Sequence, residues 1–127
     1  MGDLKLNKLN VMKWTLQTTN VHDVTQISKG FKIQDRKCNF LFHSGFNTSS
    51  DDKKPISLSI EFDKKEKLYP PVNAIILVSS TSKMFFPERH SIVGEHKQMI
   101  WTSFDYGVRN SLLIFEVVMY DAYLTGK

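Results

Sequence analysis

Two segments of the chain carry the clearest pattern of apolar and polar residues. Across residues 56–62, Ile-Ser-Leu-Ser-Ile-Glu-Phe, the two kinds alternate strictly, so an extended chain would present all its apolar side chains on one face. Residues 112–118 are apolar except for Glu116 and form a second dense segment near the C-terminus. Both patterns predict strands of a sheet that covers a core.

Further extended segments are predicted on either side of these two, separated by turn-forming residues. They comprise residues 13–18, 31–33, 39–43, 72–79 and 99–104, of which the last fits a short strand or a bulged edge. The segment near the C-terminus is predicted to extend over residues 111–120. Residues 1–12 fit either a flexible lead-in or an edge strand. The domain is predicted over residues 13–122, with a tail at residues 123–127.

One segment favours a helix. Val21, Val24 and Ile27 recur every third residue between Asn20, which can cap a helix, and Gly30, which can end one. This spacing predicts a short helix or helical turn near residues 20–28. With the strands, it predicts an all-β fold, an antiparallel β-sandwich of seven or eight strands.

Length and charge narrow the classes of function. A chain of 127 residues fits one domain, and no apolar run approaches the roughly 18 residues that a membrane helix needs. The net charge is +4, but acidic residues flank or interrupt both lysine clusters, at residues 53–54 and 64–67. We therefore predict a cytoplasmic or nuclear protein with no membrane partner, and the charge does not favour nucleic acid.

The sequence contains no recognisable catalytic or metal-binding motif. Cys38 is the only cysteine, which excludes an internal disulfide and a cysteine-based zinc cluster. The four histidines do not have metal-binding spacing, and no phosphate-binding or nucleophile motif occurs. We predict a protein that is not an enzyme and needs no metal or cofactor.

Trp101 has two interpretations. Tryptophan is highly buried on average, which favours packing in the core. Alternatively, Trp101 lies on an exposed sheet edge, where its ring anchors an extended peptide that pairs with the strand. The sequence leaves both open.

The order of these signals resembles a MATH domain, the meprin and TRAF homology sandwich. The resemblance covers residues 13–120 in consistent order, and each motif alone is weak. The matching elements are Trp14-Thr15-Leu16, Ser28-Lys29-Gly30-Phe31, residues 39–45, Ile56-Ser57-Leu58, Val72-Asn73-Ala74 and residues 112–118; Cys38 replaces a usual tryptophan.

The resemblance implies a module that captures short linear peptides for ubiquitin ligases, deubiquitinases or receptor complexes. In the speckle-type POZ class, the corresponding groove would be lined by Pro55, Ile76, Lys97, Gln98, Met99 and Trp101. Trp101 would wall an apolar pocket, and Lys97 would meet a polar or acidic group. Since Pro55, Ile76 and Met99 replace aromatic residues, the resemblance implies a shallower, more aliphatic pocket.

We therefore predict a non-enzymatic module that binds a peptide of a partner protein, as the substrate-recognition part of a ubiquitin-ligase adaptor whose other domain is absent from this sequence. The alternative is a self-associating sandwich whose exposed edge pairs with a second copy as an oligomerisation scaffold. A carbohydrate-binding sandwich is a third class, but His43, Asn47 and Trp101 do not reproduce a galectin-like site.

Overall fold

The computed structural model describes residues 3–18, 24–44, 56–64, 66–81, 83–104 and 111–125. Across these residues the chain is all-β, which confirms the predicted antiparallel sandwich. The strands are β1 (Asp3–Gln17), β2 (Val24–Ile27), β3 (Phe31–Ile33), β4 (Arg36–Ser44), β5 (Ile56–Phe62), β6 (Val72–Ser80), β7 (Glu88–Ile92), β8 (Lys97–Ser103) and β9 (Leu112–Thr125). The described part contains no helix long and apolar enough to cross a bilayer.

The strands form two sheets. One sheet has the order β1-β9-β6-β7, and the other has the order β2-β4-β5-β8 with β3 also pairing with β4. The described pairings are all antiparallel. The edges of the first sheet are therefore β1 and β7, and β8 lies at one edge of the second.

β2 and β3 are two parts of one interrupted edge, because both pair with β4. Between them, the Ser28 amide donates to the Phe40 carbonyl at 3.0 Å, and the Ser28 hydroxyl accepts from the Phe40 amide at 2.8 Å. A side-chain oxygen thus replaces a backbone acceptor where the strand breaks. The structure describes nine strands, above the predicted seven or eight, because β2 and β7 were not among the predicted strands.

The predicted helix is wrong over the part of residues 20–28 that the structure describes. Residues 24–27 form β2, which pairs in register with residues 41–44 of β4. The three-residue spacing extends over only seven residues, and a helix of that length is not stable by itself in water. Pairing with β4 instead gives the backbone N–H and C=O groups hydrogen-bond partners. Residues 20–23 lie outside the described part.

Alternation along the strands builds the core. In β5, Ile56, Leu58, Ile60 and Phe62 are all buried, as the strict pattern predicts. At the centre, the ring of Phe115 lies 6.1 Å from Trp14, 5.7 Å from Phe42 and 5.5 Å from Trp101. Aromatic contacts therefore join three strands to β9 through one residue.

β1 and β9 extend past both predicted domain boundaries. Their register runs from Asp3 opposite Thr125 to Gln17 opposite Leu112. Residues 1–12 were predicted as either a flexible lead-in or an edge strand. The described residues 3–12 form part of edge strand β1. The boundaries at residues 12 and 122 fall inside these two strands.

The hairpin between β3 and β4 holds a distant loop. Gln34 and Asp35 have φ angles of 50° and 62°, as a two-residue hairpin turn requires. The Gln34 side-chain amide donates to the Pro70 carbonyl at 2.8 Å and accepts from the Tyr69 amide at 3.0 Å. One side chain thus fixes the segment before β6 against this turn.

We expect Gln34→Ala to lower the free energy of unfolding by about 1–2 kcal/mol, because two hydrogen bonds are lost. Asp35→Ala is the matched control, since it shares the left-handed backbone but not these two bonds, and its loss should be smaller. Urea unfolding of both variants measures the difference. Equal losses would show that backbone conformation, and not the contact with the loop, sets the effect.

Candidate functional site

Strand β8 has an open edge. It pairs with β5 on one side, and no strand among the described residues pairs with its other side. The Phe62 amide donates to the His96 carbonyl at 2.9 Å, so the backbone of His96 bonds to the β5 side. Because alternate residues of an antiparallel ladder bond to the partner strand, the backbone groups of Lys97 and Met99 face the open edge.

A β-bulge interrupts this ladder. Leu58 pairs with Trp101 and Ser59 with Met99, so Ile100 is the extra residue. A bulge changes the direction of the side chains that follow it. Accordingly, the adjacent residues Ile100 and Trp101 are both buried, a pattern that simple alternation does not produce.

The register of the second sheet places outward residues in cross-strand rows. The middle row is Met99, Ser59, Leu41 and Ile27. Leu41 and Ser59 are buried, whereas Met99 is 54% exposed at one end and Ile27 is 62% exposed at the other. The accessible apolar surface of this row therefore lies at the two edges of the sheet.

Polar residues flank the middle row on β8. Lys97 lies opposite Glu61 and is exposed, and Thr102 lies opposite Ser57 and donates to the Ile56 carbonyl at 3.1 Å. The Glu61 carboxylate is also 3.9 Å from the His96 ring. On the outer face of β8, the exposed apolar side chain of Met99 therefore lies between the charged Lys97 and the hydroxyl-bearing Thr102.

Two of the predicted groove residues are core residues here. The Trp101 side chain is 2% exposed and contacts the rings of Phe85 and Phe115. Ile76 is 0% exposed in β6, which belongs to the other sheet. Neither presents surface to a peptide in this structure, so of the two interpretations of Trp101 the structure favours core packing.

The other predicted residues have different positions. Lys97 and Met99 lie together on β8 and are exposed. The Gln98 side chain points across to β7, where it donates to the Ser91 carbonyl at 2.8 Å and accepts from the Val93 amide at 3.1 Å. Gln98 therefore ties the two sheets together beside the open edge. Pro55 lies outside the described residues.

Cys38 is buried and donates a hydrogen bond to the Phe31 carbonyl, with 3.6 Å between sulfur and oxygen. Burial raises the pKa of its thiol to about 12, with a smaller contribution from Asp63. At neutral pH the group is the thiol, which is a poor nucleophile. In the described ranges, no three His, Cys, Asp or Glu side chains converge into a metal-binding group.

The sequence pattern did not identify the cross-strand row, and it allowed a bulged edge at residues 99–104 without locating the bulge. The strict alternation of residues 56–62 already placed Ser57, Ser59 and Glu61 outward, so the β5 part of the surface could have been identified. The bulge at Ile100 leaves no local signal, because its position depends on the pairing between β5 and β8.

Comparisons with known proteins do not assign the chain to a family. No family model matches its sequence, and no curated protein matches it either.

Proposed function

We propose that this domain is a non-enzymatic interaction module that captures an extended peptide of a partner protein along the open edge of β8. The observation that supports this proposal is the edge itself, where backbone groups at Lys97 and Met99 have no strand partner among the described residues. An added strand would bond to these groups, which is the usual chemistry of peptide capture by β-augmentation.

The side chains of β8 suggest the ligand sequence. A peptide residue opposite Met99 would be apolar, because Met99 is the exposed apolar side chain of this strand. A residue opposite Lys97 would be acidic or polar. Since the strand alternates, we expect these two positions to be separated by one residue that points elsewhere.

This proposal assigns new roles to the predicted groove. Met99 and Lys97 contact the peptide, whereas Trp101 packs in the core beneath β8 and Gln98 bonds to the β7 side. Ile76 lies in the core of the other sheet and has no part in the site. A pocket walled by the Trp101 ring is not part of the proposal, because that ring is buried.

The MATH-like order of motifs supports a wider role as the substrate-recognition part of a ubiquitin-ligase adaptor. A single strand addition is a weak contact, because ordering a flexible peptide offsets much of the interaction energy. Such a domain would work best in several linked copies, where effective concentration raises the avidity. An oligomerising neighbour domain would provide this.

A peptide-display selection on the purified domain tests the proposal, followed by titration of an enriched peptide. We expect Met99→Asp to weaken binding by at least about tenfold, since burying a methionine contributes roughly 1.5–3 kcal/mol. Thr15→Asp on edge strand β1 is the matched control and should change affinity less than about twofold. Unfolding curves establish that both variants are folded.

Equal binding by wild type and Met99→Asp would overturn the assignment to β8. An effect of Thr15→Asp alone would move the site to β1.

Self-association is the second candidate, and the same open edge supports it. A second copy could add its own edge strand to β8. Light scattering across a dilution series would then detect a dimer that Met99→Asp dissociates.

A further inference from the structure

A second groove lies on the opposite flank of the sandwich from β8. There, edge strand β1 of one sheet faces the interrupted edge β2 and β3 of the other. The groove has a volume of about 410 Å³. Its lining residues are Met12, Lys13, Trp14, Ile27, Ser28, Lys29, Phe31 and Phe40.

Aromatic rings form the inner wall of this groove. Trp14 stacks on Phe40 with ring centroids 6.4 Å apart and planes 16° apart, and Phe31 lies 4.8 Å from Phe40. Trp14 and Phe31 are only partly buried, although both pack against the core. The partly exposed rings give the groove an accessible apolar wall.

A hydrogen bond between the two edges limits the shape of an occupant. The Gln26 side-chain amide donates to the Gln17 carbonyl at 3.2 Å and joins β2 to β1. This bond spans the gap between β1 and β2 on the Gln17 side of Trp14. An extended peptide could therefore not run the length of the gap between these two strands without breaking the bond. The Ser28 hydroxyl is also engaged, since it donates to the Lys29 carbonyl and accepts from the Phe40 amide.

The groove carries an exposed cation, Lys29, and its described lining contains no carboxylate. Lys13 alternates with the inward-facing Trp14, so its side chain lies on the other face of β1, where Glu116 is its cross-strand partner. An occupant that buries an apolar body against the rings and keeps an anionic group near Lys29 would complement both features. The volume lies in the range of roughly 300–1,000 Å³ that is typical of small-molecule sites.

We propose that this groove binds a small carboxylate with an aromatic or branched aliphatic body. The ring wall contacts the body, and Lys29 attracts the carboxylate at the mouth. The site is separate from β8, so binding here does not depend on peptide capture.

The probe pair is phenylbutyrate and its neutral amide, phenylbutyramide, titrated into ¹⁵N-labelled domain and followed by NMR. We expect phenylbutyrate to shift the Trp14 indole signal and the backbone amides of residues 27–31. The neutral amide should bind at least about threefold more weakly, since it loses the contact with lysine. Lys29→Glu should weaken phenylbutyrate about three- to tenfold.

Lys37→Glu is the matched control, because it makes the same charge change at an exposed lysine outside this lining. Affinity within twofold of wild type is expected for it. Equal affinities for the acid and the amide, equal effects of the two lysine variants, shifts confined to other surfaces, or no shift at millimolar probe would each overturn the proposal. Shifts confined to β8 would show that the probe recognises the peptide edge instead.

Discussion

Replacing Trp101 by alanine is expected to lower the free energy of unfolding by about 3–5 kcal/mol, which is the usual cost of removing a large aromatic side chain from a core. The ring makes edge contacts with Phe85 at 5.3 Å and Phe115 at 5.5 Å, so its removal leaves a cavity between the two sheets. Urea unfolding of the variant measures this loss.

Met99→Ala, two residues away on the same strand, is the matched control. Its side chain is 54% exposed, so we expect a change below about 1 kcal/mol. A Trp101→Ala protein with wild-type stability and no peptide binding would instead identify Trp101 as a ligand anchor. That result would return the site to the groove predicted from the sequence.

Gly94→Ala is expected to destabilise the domain by about 2–4 kcal/mol through two effects. Gly94 has a φ angle of +83°, which costs a residue with a side chain roughly 1–2 kcal/mol. An added Cβ would also lie 2.6 Å from Leu68 Cγ and 2.7 Å from the Leu68 backbone nitrogen. The backbone atom cannot move away easily, since Leu68 donates to the Val93 carbonyl at 2.7 Å.

Gly30→Ala tests whether this effect is specific to the position. A Cβ at Gly30 would meet only the Cys38 carbonyl oxygen, at an ordinary 3.7 Å. We expect Gly30→Ala to change stability by less than about 1 kcal/mol in either direction, because alanine also restricts the unfolded chain. Thermal or urea unfolding compares the two variants. Similar losses would contradict the crowding assigned to Gly94.

The fold class could be predicted because a strand buried on one face has apolar residues at every second position of its sequence. Residues 56–62 were predicted with the bounds that β5 has, since their alternation is strict and all four apolar residues are buried. The segment at residues 24–27 was mispredicted because Val21, Val24 and Ile27 have helical spacing but are too few to specify a helix. Pairing with β4, which is a long-range contact, selected the strand.

The candidate site was less predictable for a related reason. Local pattern predicted a strand that begins at Met99, whereas β8 begins at Lys97. That β8 is an edge follows only from the order of strands in the sheet. The burial of Trp101 depends on the bulge at Ile100, which is set by register with β5. Ile76 belongs to the opposite sheet, a placement that no local motif encodes.

Backbone hydrogen exchange with and without a selected peptide tests the central proposal most directly, because strand addition must protect amides at the edge that receives the strand. We expect added peptide to slow exchange at Lys97 and Met99, with no change along β1. Tight peptide binding that leaves these amides unprotected, or protects β1 instead, would contradict peptide capture at β8.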